Sequence, residues 1–463
     1  MTSLVDESIF KAYDIRGIVG KTLTTDAVRL IGVALANQAA EKGVRQVVIG
    51  RDGRLSGPDL AAALADGVRS AGLDVIDIGM VTTPIVYFAT YHLGTGTGVA
   101  ITGSHNPPEY NGLKMMVAGD TLYGETIKDL ARRINGGSLR RVDPAQAGKR
   151  EQVDVSAAYQ ARALSDVELA RPMKIAIDAG NGVAGAYAPA LFRALGCEVA
   201  ELFCEVDGTF PNHHPDPAHL ENLQDLIRCL HETDAEIGLA FDGDGDRLGL
   251  VTKSGKVIFP DRQMMLFAED VLSRHPGAQI IYDVKCSRNL AGWIRERGGQ
   301  PLMWRTGHSL VKAKLKETGS PLAGEMSGHI FFKDRWFGFD DGLYSGVRML
   351  EILSRHADPS ALLEALPDSP TTPELQMWTT EGENFAIIDA LRRNAHFEGA
   401  SEVITIDGVR VEYPDGFGLA RPSNTTPVVV MRFEADSPQA LARIQSAMRD
   451  AILAVSPQAK LPF

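Results

Sequence analysis

The chain has 463 residues, of which 44% are apolar and 23% charged, and a formal net charge of −12. That length exceeds one ordinary domain and suggests about three, and the composition excludes a disordered, collagenous or disulfide-stapled class. The acidic balance argues against nucleic acid or an anionic membrane as partner, and no apolar run reaches the ~18 residues of a membrane span.

Strand and helix patterns alternate from the start. The first block predicts strands over 44–50, 73–79 and 98–102, separated by helices over 60–72 and 84–93. The last strand runs into Thr102-Gly103-Ser104-His105-Asn106-Pro107-Pro108, where Gly103 and the proline pair stop regular structure on both sides of a serine. A serine at such a corner is placed for chemistry at its hydroxyl, although Gly, Ser, Asn and Pro are also ordinary turn residues. The polar, poorly periodic stretch 144–156 places a boundary near residue 150.

The second block predicts a strand over 173–179, a helix over 183–195, a strand over 198–203 and a helix over 220–231. The pair His213-His214, set between Pro211 and Pro215 with Asn212, reads as a proline-bounded loop. The next strand ends in Asp242-Gly243-Asp244-Gly245-Asp246-Arg247. Three carboxylates at alternate positions repel one another unless a cation sits among them, and hard divalent cations take such oxygens. An EF-hand is ruled out, because Arg247 and Lys253 stand where its glycine and glutamate belong. Arg247 adds a planar fork suited to phosphate.

The third block, from about 256, predicts strands over 279–284, 302–306 and 322–332 and helices over 288–297, 309–317 and 341–356. The fourth has short β-rich runs at 403–406, 409–413 and 428–433, turn signals at Asp407-Gly408 and Asp415-Gly416, and an amphipathic helix over 438–455. The expected architecture is α/β: three tandem α/β domains with mixed or parallel sheets (1–150, 151–255 and 256–368), then a C-terminal α+β domain (369–463). Open α/β sheets bind ligands at the carboxyl ends of their strands. Ser104, Asp242 and Glu325 each follow a predicted strand or lie within one, so three domains are expected to pool one loop each in a central cleft.

The Ser104 and Asp242–Asp246 segments resemble the phosphoserine and metal loops of the α-D-phosphohexomutase superfamily. Gly324-Glu325-Met326-Ser327-Gly328-His329 resembles its sugar-recognition loop, and Arg421-Pro422-Ser423-Asn424-Thr425-Thr426-Pro427 its C-terminal phosphate loop. Lys11-Ala12-Tyr13-Asp14-Ile15-Arg16-Gly17 also matches, so the resemblance covers essentially the whole chain in family order. The Glu325–His329 loop, with Thr306-Gly307-His308-Ser309, looks like the bacterial phosphomannomutase/phosphoglucomutase subgroup. Phosphoglucosamine mutases, which carry glutamine where Met326 stands, are the runner-up.

The resemblance implies reversible phosphoryl transfer between C1 and C6 of a mannose or glucose phosphate, through a phosphoserine at Ser104 and a hexose 1,6-bisphosphate that also serves as activator. It implies one Mg²⁺ per chain on Ser104, Asp242, Asp244 and Asp246, although the loop alone leaves Mn²⁺ and Ca²⁺ open. Three carboxylates carry about −3 and a phosphoserine roughly −1.5 to −2, so a divalent ion leaves negative charge that nearby cations must offset. Lys114 and Arg247 are the natural suppliers.

Catalytic candidates are Ser104, Lys114, Arg247, His329, His308 and His105, with Lys285 a further candidate for moving a proton. His105 has a plainer alternative in fixing the Ser104 loop, and His308 in capping the helix after it. Tyr13, Arg16, Lys285, Gly307, His308, Glu325, Ser327, His329, Arg421, Ser423, Asn424 and Thr425 form the expected substrate-binding set. Tyr13 and Arg16 are expected on the cleft floor, Glu325 and Ser327 on sugar hydroxyls, and Arg421 to Thr425 on the non-reacting phosphate. A serine hydrolase is disfavoured by the missing Gly-x-Ser-x-Gly elbow. A metal-dependent phosphatase and a non-catalytic sugar-phosphate binder remain as alternatives.

The N-terminus lacks a basic-then-apolar leader, and Cys197, Cys204, Cys229 and Cys286 show no zinc spacing. A cytoplasmic protein acting on small hexose phosphates, monomeric rather than obligately oligomeric, is the expectation.

Overall fold

The computed structural model describes residues 4–424 and 426–463. The described residues form four sheets. In the first, Gln46–Arg51 lies between the parallel strands Asp74–Met80 and Gly98–Ile101, and Tyr110–Val117 then joins Gly98–Ile101 to Ile15–Ile18 in antiparallel pairing. Arg150–Gln152 closes the far edge beside Asp74–Met80. In the second sheet Lys174–Asp178 is parallel to both Ile237–Phe241 and Glu198–Leu202, with Leu248–Thr252 returning antiparallel to Ile237–Phe241. In the third, Gln279–Asp283 is parallel to Gln300–Trp304 and Leu322–Gly324. The fourth is wholly antiparallel, in the order Leu375–Trp378, Val428–Ala435, Gly416–Pro422, Val409–Tyr413, Glu402–Ile404.

Parallel strands need helical crossovers that cover both faces, so their residues are apolar on both sides. Gly98–Ile101, Ile237–Phe241 and Leu322–Gly324 are buried throughout, and they lead into Ser104, Asp242 and Glu325 respectively. Helix starts follow capping chemistry: Thr82 accepts from the Ile85 amide ahead of Thr83–His92, and Ser437 from the Ala440 amide ahead of Pro438–Val455.

The first three sheets share one continuous apolar core running through Phe88, Phe192, Leu239, Phe267, Phe332 and Leu343. The fourth sheet packs its own core around Met431, Phe433 and Ile444. It meets the third through a small cluster of Val284, Phe417 and Leu419 and through the buried Arg410, which donates to the Val284 and Cys286 carbonyls. Among the described residues no helix is long and apolar enough to cross a membrane.

Three expectations are corrected. The predicted strand over 322–332 is a hairpin, Leu322–Gly324 against Ile330–Phe332, and the loop between them carries Glu325 to His329. The helix expected over 183–195 is a 3₁₀ turn, Val183–Ala186, followed by Ala188–Leu195. Pro189 has no N–H to continue a preceding turn and fits only near a helix start. The helix expected over 220–231 likewise opens as a 3₁₀ turn, Leu220–Leu223, before Gln224–Glu232. Helices Thr25–Glu41, Glu125–Asn135, Ser156–Leu164, Pro260–Arg274, Pro359–Glu364 and Glu383–Asn394 lie outside the predicted set.

Candidate active site

Ser104 stands just past a strand end with φ of 49°, a left-handed conformation uncommon for a residue with a side chain. Its amide donates to Thr102 Oγ1 at 2.7 Å and its hydroxyl to Asp242 Oδ2 at 3.1 Å. The two loops touch because Gly243 has no side chain: a Cβ there would lie 2.3 Å from the Ser104 carbonyl oxygen. Asp242 is fixed in turn, its Oδ1 accepting from the amides of Asp246 and Arg247 at 3.0 and 3.1 Å.

Asp242, Asp244 and Asp246 are fully buried, and one oxygen from each lies within 4.8 Å of the others. Lys114, itself 3% exposed, donates to Asp244 Oδ2 at 2.8 Å and to Asp246 Oδ2 at 2.5 Å, and Thr83 Oγ1 donates to Asp244 Oδ2 at 2.5 Å. Burial and the two neighbouring carboxylates push Asp242 well above the usual carboxylate range. Burial opposes ionisation of Asp246 as well, but Lys114 and His329 outweigh it and hold that group well below. Asp244 Oδ1 is buried with no partner, and Asp246 Oδ1 has only the His329 ring, 3.3 Å away. Buried oxygens of that kind cost free energy unless something positive meets them. The donor set therefore fits a hard divalent cation. Asp246, His329 and Asp340 form a second close group, in which Lys312 donates to Asp340 Oδ1 at 2.8 Å and Asp340 Oδ2 accepts no hydrogen bond.

The expected histidines converge on the same place. His329 Nε2 lies 3.3 Å from Asp246 Oδ1, and its Nδ1 lies 3.0 Å from Glu325 Oε2 and 2.9 Å from Ser327 Oγ. Burial and the Arg247 charge oppose a charged ring, yet the Asp246 and Glu325 carboxylates carry His329 up to about 9. His308 is the opposite case: burial, Lys312 and Lys114 hold it well below its ordinary value. The two rings are 5.6 Å apart, so a charged and a neutral imidazole sit side by side. His308 is the first residue of helix His308–Thr318 and provides no cap. His105 Nδ1 faces Arg247 Nη1 at 2.8 Å and Asp216 Oδ2 at 3.1 Å, and can satisfy only one of them at a time. Burial and Arg247 hold this ring down to about 4.

The other expected residues line the way from this centre to the fourth sheet. Glu325 is 1% exposed; its Oε1 accepts from the Gly307 amide and its Oε2 faces His329, leaving one lone pair on each oxygen for a sugar hydroxyl. Lys285 Nζ meets Glu374 at 2.8 Å, and Arg421 Nε meets Asp407 at 3.1 Å. Asp407 also accepts from the Thr306 amide at 3.0 Å, beside Gly307. Ser423 Oγ contacts Thr426 Oγ1 at 3.1 Å; Thr425 lies outside the described residues. Tyr13 donates to the Thr306 carbonyl at 2.9 Å and accepts from Asn424 Nδ2 at 2.5 Å, which ties the first, third and fourth sheets together. Arg16, expected on the cleft floor, meets the Ser104 loop. Its Nη1 donates to the Gly103 carbonyl at 2.9 Å and to Asn106 Oδ1, so it grips the Ser104 loop.

Sequence reasoning missed Thr83, Asp216 and Arg54, which contact Asp244, His105 and the Ser104 carbonyl. The one signal was position: Arg54 and Thr83 each closely follow a strand's carboxyl end. His213, the proline-bounded histidine, pairs with Asp178 at 3.0 Å, and His214 Nε2 donates to the His105 carbonyl as part of a loop packed against Gly243.

Family models match the chain in four consecutive pieces. They are phosphoglucomutase/phosphomannomutase α/β/α domain I over residues 7–141, domain II over 155–255, domain III over 259–369 and the C-terminal domain over 374–451. A phosphoglucomutase of Neisseria gonorrhoeae is 58% identical over 97% of both chains. A phosphomannomutase/phosphoglucomutase of Pseudomonas aeruginosa is 53% identical over 98% of both. A crystal structure of a phosphoglucomutase/phosphomannomutase family protein from Burkholderia thailandensis superimposes with a TM-score of 0.94 at 62% identity, covering 99% of this chain and 100% of that one. With its serine, acid triad and paired histidines in one cleft, the chain belongs to the phosphoglucomutase/phosphomannomutase family of the α-D-phosphohexomutase superfamily.

Proposed function

We propose that this enzyme interconverts the 1- and 6-phosphates of glucose and mannose, using Ser104 as the residue that carries the phosphoryl group. The observation that carries the reading is the serine hydroxyl 3.1 Å from Asp242, next to an acid triad that Lys114 only partly neutralises. Mg²⁺ on Asp242, Asp244, Asp246 and an oxygen at Ser104 would supply positive charge against the phosphoryl group. In the first transfer a sugar hydroxyl oxygen bonds to phosphorus and gives up its proton, while the bond from phosphorus to Ser104 Oγ breaks and Oγ takes up a proton. The reverse step at the other end of the sugar restores the phosphoserine and leaves the phosphate moved. A hexose 1,6-bisphosphate stands between the two steps and serves as activator.

Lys114 and Arg247 balance charge at the reacting end. His308, held neutral, is suited to accept a proton, and His329, held charged, to donate one. Lys285, Arg421, Ser423 and Asn424, with Thr425, would take the non-reacting phosphate, and Glu325 and Ser327 the sugar hydroxyls. Breaks near residues 150, 255 and 368 divide the chain in the same reading, and the four separate sheets support that division. A cytoplasmic monomer acting on free hexose phosphates completes it.

Phosphorus NMR of the protein with Mg²⁺ and a trace of glucose 1,6-bisphosphate tests this. Glucose 1-phosphate and mannose 1-phosphate should both convert to 6-phosphates. Conversion of glucosamine 1-phosphate alone would move the enzyme to another substrate class, and release of inorganic phosphate from all three would make it a phosphatase.

A further inference from the structure

Arg54 belongs to none of the glycine-rich loops of the site, yet it is 1% exposed and lies directly behind the reactive serine. Its Nη2 donates to the carbonyl oxygens of Ser104 at 2.8 Å and Asn106 at 2.5 Å. Its Nη1 donates to those of Pro107 at 2.6 Å and Tyr110 at 2.9 Å. Asp52 sets the guanidinium from the other side. Asp52 Oδ2 lies 3.3 Å from Arg54 Nε and accepts from the Gly103 amide at 3.2 Å, while Oδ1 accepts from the Arg54 amide at 2.9 Å. The Phe210 ring covers the guanidinium, 5.2 Å from its centre. A Cβ on Gly103 would come within 2.3 Å of Arg54 Cζ, so the loop can lie on the planar group only because residue 103 is glycine.

An exposed turn of this composition would give its carbonyls to water. Here four carbonyls from one short stretch turn inward to a single cation, which leaves the Ser104 side chain facing Asp242. Ser104 keeps its left-handed backbone only if the surroundings impose it, and the Arg54 fork holds more of the loop's carbonyls than any other group named at the site. A lysine would bring the same charge, but as a point, without the planar array that reaches four acceptors.

We propose that Arg54, oriented by Asp52, is a positioning residue for phosphoryl transfer, holding the Ser104 loop in the one shape that aims its hydroxyl into the cleft. The proposal rests on the reading of Ser104 as the group that carries phosphate. It concerns the rate of transfer rather than substrate binding, because Arg54 is sealed from the cleft by the loop it holds.

Arg54→Lys separates geometry from charge. The phosphorylated enzyme, prepared with glucose 1,6-bisphosphate, is mixed with glucose 6-phosphate, and transfer is followed in a single turnover alongside steady-state KM and the thermal midpoint. Transfer should slow by about 100-fold, the scale of an ångström-sized misplacement. KM should stay within about twofold, with cooperative unfolding retained. A transfer rate within about threefold of wild type would overturn the proposal, as would a loss that appears equally in KM. If Arg54→Lys does not fold, Asp52→Asn is read in the same assay, with a slowing of about tenfold expected because the guanidinium loses its anchor. Failure of both variants to fold would also overturn it, since the pair would then be ordinary core. Wild-type protein that transfers nothing to the sugar would defeat the proposed function itself, whereas normal transfer in both folded variants would defeat only the role of Arg54.

Discussion

Two buried ionic clusters in this protein look alike in composition and differ in how they are completed. Around Arg348, the carboxylates of Asp270, Asp334 and Glu351 meet Arg274, Arg335, Arg348, Arg355 and His275. Every carboxylate oxygen there has a guanidinium or imidazole nitrogen within 3.3 Å. In the Asp242–Asp246 loop, Lys114 takes one oxygen each of Asp244 and Asp246, His329 faces the second oxygen of Asp246 at 3.3 Å, and Asp244 Oδ1 is left without a partner. The first cluster is closed and acts as a structural clasp between helix Gly342–Leu353 and its neighbours. The second is open, and the free Asp244 oxygen is the mark of a site that expects a ligand. Counting acidic residues would not tell the two apart; following each oxygen to its partner does.

That contrast can be broken most decisively at the serine. Ser104→Ala should lower turnover on the order of 10⁴-fold or more while hexose phosphate binding, measured calorimetrically, persists; a near-normal rate would remove the chemistry from the open cluster. Next in size, Asp242→Asn should cost roughly 10²- to 10³-fold in kcat. In metal-free protein it should leave the thermal midpoint unchanged or raise it, because one of three crowded buried charges is gone. The wild type should gain thermal stability on adding Mg²⁺, about 2.7 kcal/mol at a hundredfold excess over Kd, and the variant should not.

The closed cluster should behave the other way. Asp334→Asn removes one of the carboxylate charges that the buried guanidinium groups share and should cost about 3 kcal/mol of stability in denaturant titration, with kcat at permissive temperature little changed. An unchanged midpoint would erase the distinction. The smallest effect is on pH. Burial opposes the Asp334 charge, but Arg274, His275 and Arg348 hold the group down to about 2. A depressed carboxylate contributes stability above its unfolded value near 3.9, and that contribution is lost as pH falls through about 2. The Asp334→Asn protein should therefore show a shallower fall in stability over that acid window than the wild type.

Much of this was legible in the chain because strand ends carry local signals. Helix Pro438–Val455 begins and ends where its periodicity predicts, and Ser104 and Asp242 follow strands read directly from apolar runs. The hairpin at Leu322–Phe332 was not legible, because two short buried strands and their turn have the same apolar content as one longer strand. The contacts of Arg54 and Asp216 were hidden for a different reason. An arginine that turns four carbonyls inward looks, in sequence, like any solvated arginine, and only the fold brings its acceptors to it. Sequence order likewise says nothing about whether the Arg16 guanidinium faces substrate or backbone, and the fold sets it against the Gly103 carbonyl.

The bond between Tyr13 and Asn424 joins residues 411 positions apart. On a ribosome adding about 5–20 residues per second, the first waits roughly 20–80 s for the second. The earlier domains can fold in that interval, but a nascent chain that stops short of the fourth sheet has no counterpart for Tyr13 and none of the Arg421 loop. Competence thus arrives in the last moments of synthesis, and a prematurely terminated chain would be folded in part and inert as a whole.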